Sequence, residues 1–451
     1  MEVCLRGHHC IAKNSDGRKT FVVADGSCQL LKSFGRTKIS MGPLVGAPYE
    51  AVFEFTGGKL KRVEGTLMLE DGDDKSFGEW KGFNALDTER DNRHVIDDNR
   101  AQQLTPEEVK KMQDAGTSGT EIIKALAENS ATFQSKTEFS QQKWLAKKSQ
   151  KYCPRMRLVK CTAETVCEAY QEKKTRQMAG LLGSTLGLIL LHSNVYAGCK
   201  AMVYDGILGV VLGAVMERMG LQGRVMAPYP GQTLAADAVK KFNFPEETVK
   251  QLLIDFPTNM INTYKDESTA GDKVVEVKKE MEKFISIMDK KGDKVTKAAK
   301  EKMIKAKKER LARTIERPQP SQIRRWLREQ CDSLIIATLD DPLDALTHLI
   351  PHLAVGRPFV VYSEFIQPLL PCFEFVKDEG LAVRVRLMDA FYREHQMVPG
   401  RTHPKMDMSS LGGFILTGFK VEPPGDKAER PNKDKKRLAG SYQYKKRRQK
   451  Y

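Results

Sequence analysis

One word of twelve residues constrains this chain more than any other: Lys200-Ala201-Met202-Val203-Tyr204-Asp205-Gly206-Ile207-Leu208-Gly209-Val210-Val211. An apolar strand ends in an acid, a turn containing glycine follows, and an apolar helix begins. That order marks the first βα unit of a doubly wound parallel sheet. There the glycines let the backbone turn tightly and let a nucleoside ligand touch main chain. Asp205 fits the acidic position and Gly209 the middle glycine, but Ile207 and Val211 stand where two further glycines belong. Both are β-branched, stiff at χ1 and strongly disfavoured at positive φ. The frame of a cofactor pocket is present, and the pocket reads as filled.

The surrounding pattern agrees with such a sheet. From about residue 155, strands and helices alternate, the mark of a parallel α/β unit. Residues 157–160 read as a lead strand, 201–204 as the first strand of the unit, then 224–227, 334–338 and 359–362; residues 383–387 and 413–418 close it. Before it, residues 1–90 show short strands at 11–13, 20–24, 28–31, 37–40 and 51–55. Asn14-Ser15-Asp16-Gly17 and Asp25-Gly26-Ser27 mark turns between them, so this part reads as a small N-terminal β-barrel domain. Residues 91–154 form a helical connector. Its first helix starts at Thr105-Pro106-Glu107-Glu108, a capping box with proline in the first turn. The α/β domain spans 155–423, with a charged insertion at 265–317 that is helical or disordered, and 424–451 is a basic, disordered tail.

Charge points to a polyanionic partner. The chain has 451 residues and a net charge of +16, unevenly spread. Residues 143–160, 294–317 and 427–451 together carry +23, which leaves −7 for the rest. Lys143, Lys147, Lys148, Lys151, Arg155 and Arg157 lie in the first of these segments, with no acid among residues 143–160. Lys143, Lys147 and Lys151 recur every four residues and share one helical face. Trp144 and Tyr152 beside them are either stacking platforms or core residues. The six cations are the candidate RNA-binding residues, tracking phosphates by shape, since no base-reading motif of the RRM or KH type is visible. Nine scattered cysteines without a Cys-x-x-Cys pair fit a reducing compartment. Cys4, His8, His9 and Cys10 match no common zinc spacing, and no metal site is expected. The longest apolar runs, 179–191 and 207–216, are too short to span a bilayer, so a soluble intracellular protein is expected.

Several further words carry a family resemblance. They are Asp91-Asn92-Arg93, Asp97-Asp98-Asn99 with Gln103-Leu104-Thr105, and Glu128-Asn129-Ser130-x-Thr132-Phe133-x-x-Lys136-Thr137-Glu138-Phe139-Ser140-Gln141. Glu217-Arg218-Met219-Gly220, Tyr229-Pro230-Gly231, Arg357-Pro358-Phe359-Val360-Val361-Tyr362, and Arg401-Thr402-His403-Pro404 with Gly412-Gly413-Phe414 complete the set. From about residue 7 to 420, the charged insertion aside, the chain resembles the non-catalytic subunits of the eukaryotic tRNA (adenine-N1)-methyltransferase.

The resemblance implies a class I methyltransferase-like Rossmann sheet and a catalytic partner of the same ancestry, assembled as a dimer of heterodimers in the nucleus. It implies N1 methylation of a T-loop adenosine, with tRNA held in part by this chain and S-adenosylmethionine bound in the partner. No catalytic or cofactor-binding residue is expected here. The loop Asp205, Ile207, Gly209, Val211 is degenerate, no ribose-binding carboxylate follows residues 224–227, and Thr338 falls where the family's enzyme has an acid. The alternatives are an active S-adenosylmethionine-dependent RNA methyltransferase and a translation initiation factor scaffold. The apolar strands at 359–362 and 414–417 are the candidate support for a partner interface.

Overall fold

The computed structural model describes residues 2–15, 17–31, 37–56, 59–63, 102–115, 117, 119–136, 138–231, 233–262, 278–286, 301, 303–305, 307–308, 318–397, 402–406, 408 and 410–423. The segment 424–451, most of the charged insertion, and the boundary expected near residue 90 lie outside them. Six strands occupy the N-terminal part: β1 (His9–Asn14), β2 (Lys19–Val23), β3 (Cys28–Leu31), β4 (Thr37–Ser40), β5 (Val52–Thr56) and β6 (Lys59–Val63). Three helices follow: α1 (Pro106–Asp114), α2 (Gly119–Glu128) and α3 (Glu138–Tyr152). The expected capping box opens α1: the Thr105 amide donates to Glu108 Oε2 at 2.8 Å, and the Glu108 amide to Thr105 Oγ1 at 3.3 Å. Such a cap stabilises a helix by about 1 kcal/mol.

The next strand, β7 (Arg155–Lys160), was expected to lead the α/β sheet. It lies instead in the middle of the N-terminal sheet, whose order is β2-β1-β7-β5-β6, antiparallel throughout. Its pattern accounts for this. Met156 and Leu158 are fully buried, while Arg155 and Arg157 alternate with them at intermediate exposure. That period of two belongs to an antiparallel strand with one face on a core, whereas strands in parallel sheets are buried on both faces. Barrel closure is not observed either. Among the described residues no pairing joins β2 to β6, and the β3–β4 hairpin shares the core of an open sheet.

The α/β unit runs through α4 (Ala163–Lys173), α5 (Gly183–His192), β8 (Lys200–Asp205), α6 (Val210–Arg218), β9 (Arg224–Tyr229), α7 (Glu246–Leu252) and β10 (Leu253–Pro257). It continues with α8 (Pro320–Arg328), β11 (Ser333–Ala337), α9 (Pro342–Leu349), β12 (Pro358–Ser363), α10 (Leu369–Asp378) and β13 (Ala382–Phe391). Two short strands, β14 (His395–Gln396) and β15 (His403–Pro404), precede the last, β16 (Leu411–Lys420). The sheet order is β10-β9-β8-β11-β12-β16-β13, parallel except for β16, which lies antiparallel between β12 and β13. This is the class I methyltransferase arrangement expected from the sequence. β11 and β12 are buried at every residue, as doubly covered parallel strands must be.

The two units are joined by polar and aromatic contacts. Asn243, at φ 58°, clamps the start of β1: its Nδ2 donates to the His9 carbonyl at 2.8 Å, and its Oδ1 accepts from the His9 amide at 2.7 Å. Phe21 of β2 meets Tyr170 of α4 with ring centroids 5.0 Å apart. Among the described residues no helix is long and apolar enough to cross a membrane.

Candidate functional site

In a doubly wound sheet the ligand crevice lies at the carboxyl ends of the strands where the order reverses. Here that point is between β8 and β11, so the degenerate loop and Thr338 meet at it. The Gly206 amide donates to the Ala337 carbonyl at 2.7 Å, drawing the two strand ends together. Asp205 is 3% exposed and turns its carboxylate back into the loop. The Ile207 and Gly209 amides donate to Oδ1 at 2.6 and 3.3 Å, and the Leu212 amide donates to Oδ2 at 2.8 Å. Those amides, from the turn and the first turn of α6, are the groups that would face an anionic or polar ligand. The protein's own carboxylate satisfies them. Burial raises the Asp205 pKa to about 6, and the backbone donors counter part of that rise.

The apolar side of the loop is equally occupied. Ile207, Val210 and Val211 are completely buried in the main core. Ile207 and Val211 stand in glycine positions without adopting positive φ; the positive φ values fall at Leu208 (57°) and Gly209 (79°). Gly209 is still required, because a Cβ there would lie 2.6 Å from the Cα of Ala236. A Cβ at Gly213 would overlap the Phe242 ring. The segment between β9 and α7 therefore lies against the glycine loop, anchored by the Ala238 amide donating to the Leu208 carbonyl at 3.0 Å. This segment went unrecognised in the sequence because its alanines and Phe242 carry no motif.

The remaining cofactor positions are also unsuited. β9 ends in Tyr229, 2% exposed, and Pro230, so no carboxylate is placed for a ribose. Thr338, directly after β11, is buried and accepts from the Asp340 amide at 3.0 Å. The nearby carboxylates are not substitutes: Asp341 caps α9 by accepting from Leu343, and both Asp340 and Asp341 are exposed. These residues do not fit S-adenosylmethionine. A cavity of about 830 Å³ between α4, α5 and Tyr392, Glu394 and Met408 is lined by Glu164, Glu168, Glu172 and Glu394. Lys19 also lines it and pairs with Glu168 and Glu172.

The basic segment divides in two. Lys147, Lys148 and Lys151 lie on α3, and so does the backbone of Lys143, whose side chain is outside the described residues. Trp144 and Tyr152 pack against the small cores around Ile123, Phe133, Val109 and Leu126, so they are core rather than stacking platforms. Lys148 Nζ sits 5.3 Å from the Trp144 ring centroid and Lys151 Nζ 5.0 Å from that of Tyr152. Arg155 and Arg157 are on β7. In space they do have acidic neighbours: Arg155 Nε is 3.1 Å from Glu54 across the β5–β7 pair, and Arg157 is 3.8 Å from Glu50. Cys4 and Cys10 are buried with their sulfurs 3.8 Å apart, and among the described residues no cluster could hold a metal ion.

The expected interface strands are interior. All of β12 is buried, and residues 415–417 are buried with it. The exposed large apolar side chains at this end of the sheet are Phe391, Tyr392, Met397, Met406 and Leu411, on and beside the β13–β16 pair.

The sequence matches known proteins over most of its length. The Gcd10p family model matches residues 6–284. The "tRNA (adenine(58)-N(1))-methyltransferase non-catalytic subunit" of Dictyostelium discoideum is 31% identical over 442 residues, covering 94% of this chain and 81% of that protein. Its Mus musculus namesake is 30% identical over 413 residues, covering 84% and 81%. That of Debaryomyces hansenii is 27% identical over 428 residues, covering 92% and 86%. Among solved structures, an S-adenosylmethionine-dependent O-methyltransferase of Thermotoga maritima aligns at 8% identity and TM-score 0.47, over 94% of this chain and 97% of that one.

Proposed function

Because this chain belongs to the Gcd10p family, we propose that it is the non-catalytic subunit of a tRNA (adenine-N1)-methyltransferase, which holds tRNA while a partner methylates a T-loop adenosine. The observation that carries this is the crevice at the sheet's switch point. Asp205 satisfies the loop amides, Ala236 backs Gly209, and neither β9 nor β11 offers the acid a cofactor or an adenine nitrogen would need. The methyl donor and the chemistry then belong to the partner, in which S-adenosylmethionine binds.

This chain contributes binding. The lysines of α3 track phosphates without base readout, and the arginines of β7 take a lesser share because Glu54 and Glu50 face them. The partner docks on the apolar side chains around Phe391 and Leu411, and two such pairs assemble as a dimer of heterodimers. Two basic clusters near the C-terminus, Lys433, Lys435, Lys436, Arg437 and Lys445, Lys446, Arg447, Arg448, provide a nuclear address.

Co-purification tests the reading. A tagged chain should capture a methyltransferase that methylates tRNA only as the pair, and Phe391→Asp with Leu411→Asp should cut that capture at least tenfold. Recovery of initiation-factor subunits in place of a methyltransferase would overturn it.

A further inference from the structure

We propose that the junction of the N-terminal sheet and the α/β unit, where His9, Lys173, Lys240 and Lys241 gather, binds a backbone phosphate of the RNA, as a site separate from the basic helix. The proposal deepens the tRNA-holding reading and rests on it. The site begins with the Asn243 clamp on His9, which fixes β1 beside the turn carrying Lys240 and Lys241. Lys241 Nζ lies 3.4 Å from His9 Nδ1 and 5.5 Å from the Phe21 ring centroid. An ammonium can only donate, so His9 accepts at Nδ1 and carries its proton at Nε2.

None of Lys173, Lys240 and Lys241 makes an ion pair among the described residues. The acids of this region are engaged elsewhere: Glu168 and Glu172 each hold Lys19 at 3.2 Å, and Asp237 faces Lys174 at 3.9 Å. Burial, then the charge of Lys173, lowers the Lys241 pKa against an opposing pull from Asp237; burial, then Lys241, His8 and Lys240, lowers that of His9. Cations crowded around one exposed carboxylate, Asp237, are costly, and a half-buried one more so. Outside the three basic segments the chain is net acidic, so acids were available in its composition and do not neutralise this place. A phosphate supplies the missing charge, and the exposed Lys173 and Lys240 leave it accessible.

The test uses the complex with its catalytic partner and an unmodified tRNA transcript, with affinity measured over a series of salt concentrations. Lys173→Ala with Lys240→Ala removes two exposed cations and should leave the thermal midpoint unchanged. It should reduce the slope of log K against log salt by roughly one to two units. Lys240→Glu should weaken binding further at every salt concentration. An unchanged slope, in a wild-type complex that binds tRNA more tightly than the partner alone, overturns the site and leaves the tRNA-holding reading intact. If wild type gains nothing over the partner alone, that reading fails as well. If the variant loses its partner while the remaining complex keeps its slope, the cluster is a protein contact and the proposal is overturned.

Discussion

Asp205 shows how a loop can satisfy its own amides. Its carboxylate, two to seven residues away, accepts from three amides of the turn and the start of α6. The charge is held in a fully buried place, which is why its pKa rises from 3.8 to about 6. Between those values the native state holds more protons at this position than the unfolded chain, so stability falls as pH rises through the window. The cost is on the order of 3 kcal/mol by neutral pH. Asp205→Asn cannot titrate, so wild type should gain stability relative to this variant as pH drops from 7 to 4. Denaturant unfolding at several pH values measures that gain, and parallel profiles would refute it. The sequence identified Ile207 and Val211 as fillers, residues that avoid positive φ, and neither adopts it. Their effect comes from burial, while the turn's positive φ falls on Leu208 and Gly209.

Elements were legible where their pattern was unambiguous. The capping box of α1 and the continuous apolar runs of β11 and β12 stand as expected, because cap chemistry and double burial leave few alternatives. β10 was not recognised: Asp255 interrupts its apolar residues, and as an edge strand it is only partly buried. β7 was recognised as a strand and put in the wrong sheet, although its alternation of Arg155, Met156, Arg157 and Leu158 already specified one wet face. That placement matters for RNA, because it brings Glu54 and Glu50 to two of the six candidate cations. On α3, Lys147 and Lys151 share a face with position 143. Replacing Lys143, Lys147 and Lys151 by alanine should lower the salt slope of tRNA binding by roughly two to three units, with subunit association intact. An unchanged slope would reduce α3 to a charged surface.

For the whole molecule, three of the words that carry the resemblance hold the fold together, while Asp91-Asn92-Arg93 and Asp97-Asp98-Asn99 lie outside the described residues. Glu217 accepts from the Ala163 amide at 2.7 Å, tying α6 to the start of α4, and Tyr362 donates to the Ala179 carbonyl at 2.7 Å beside Gly412. Gln141 donates to the buried Phe133 carbonyl at 2.9 Å. Such contacts hold the fold whether or not a cofactor binds, so a sequence signature can persist without chemistry. Residues 427–451 are a separate matter, outside the described residues. Their deletion from a tagged chain should abolish nuclear accumulation in imaged cells, and unchanged accumulation would reject the nuclear address.

The most direct test of a pocket filled from within is equilibrium titration of the purified chain with labelled S-adenosylmethionine. Wild type should show no saturable binding, and neither should Ile207→Gly with Val211→Gly, because Ala236 still lies against Gly209 and Asp205 still holds the amides. Saturable binding by the wild-type chain at micromolar concentration, one site per chain, would contradict the account.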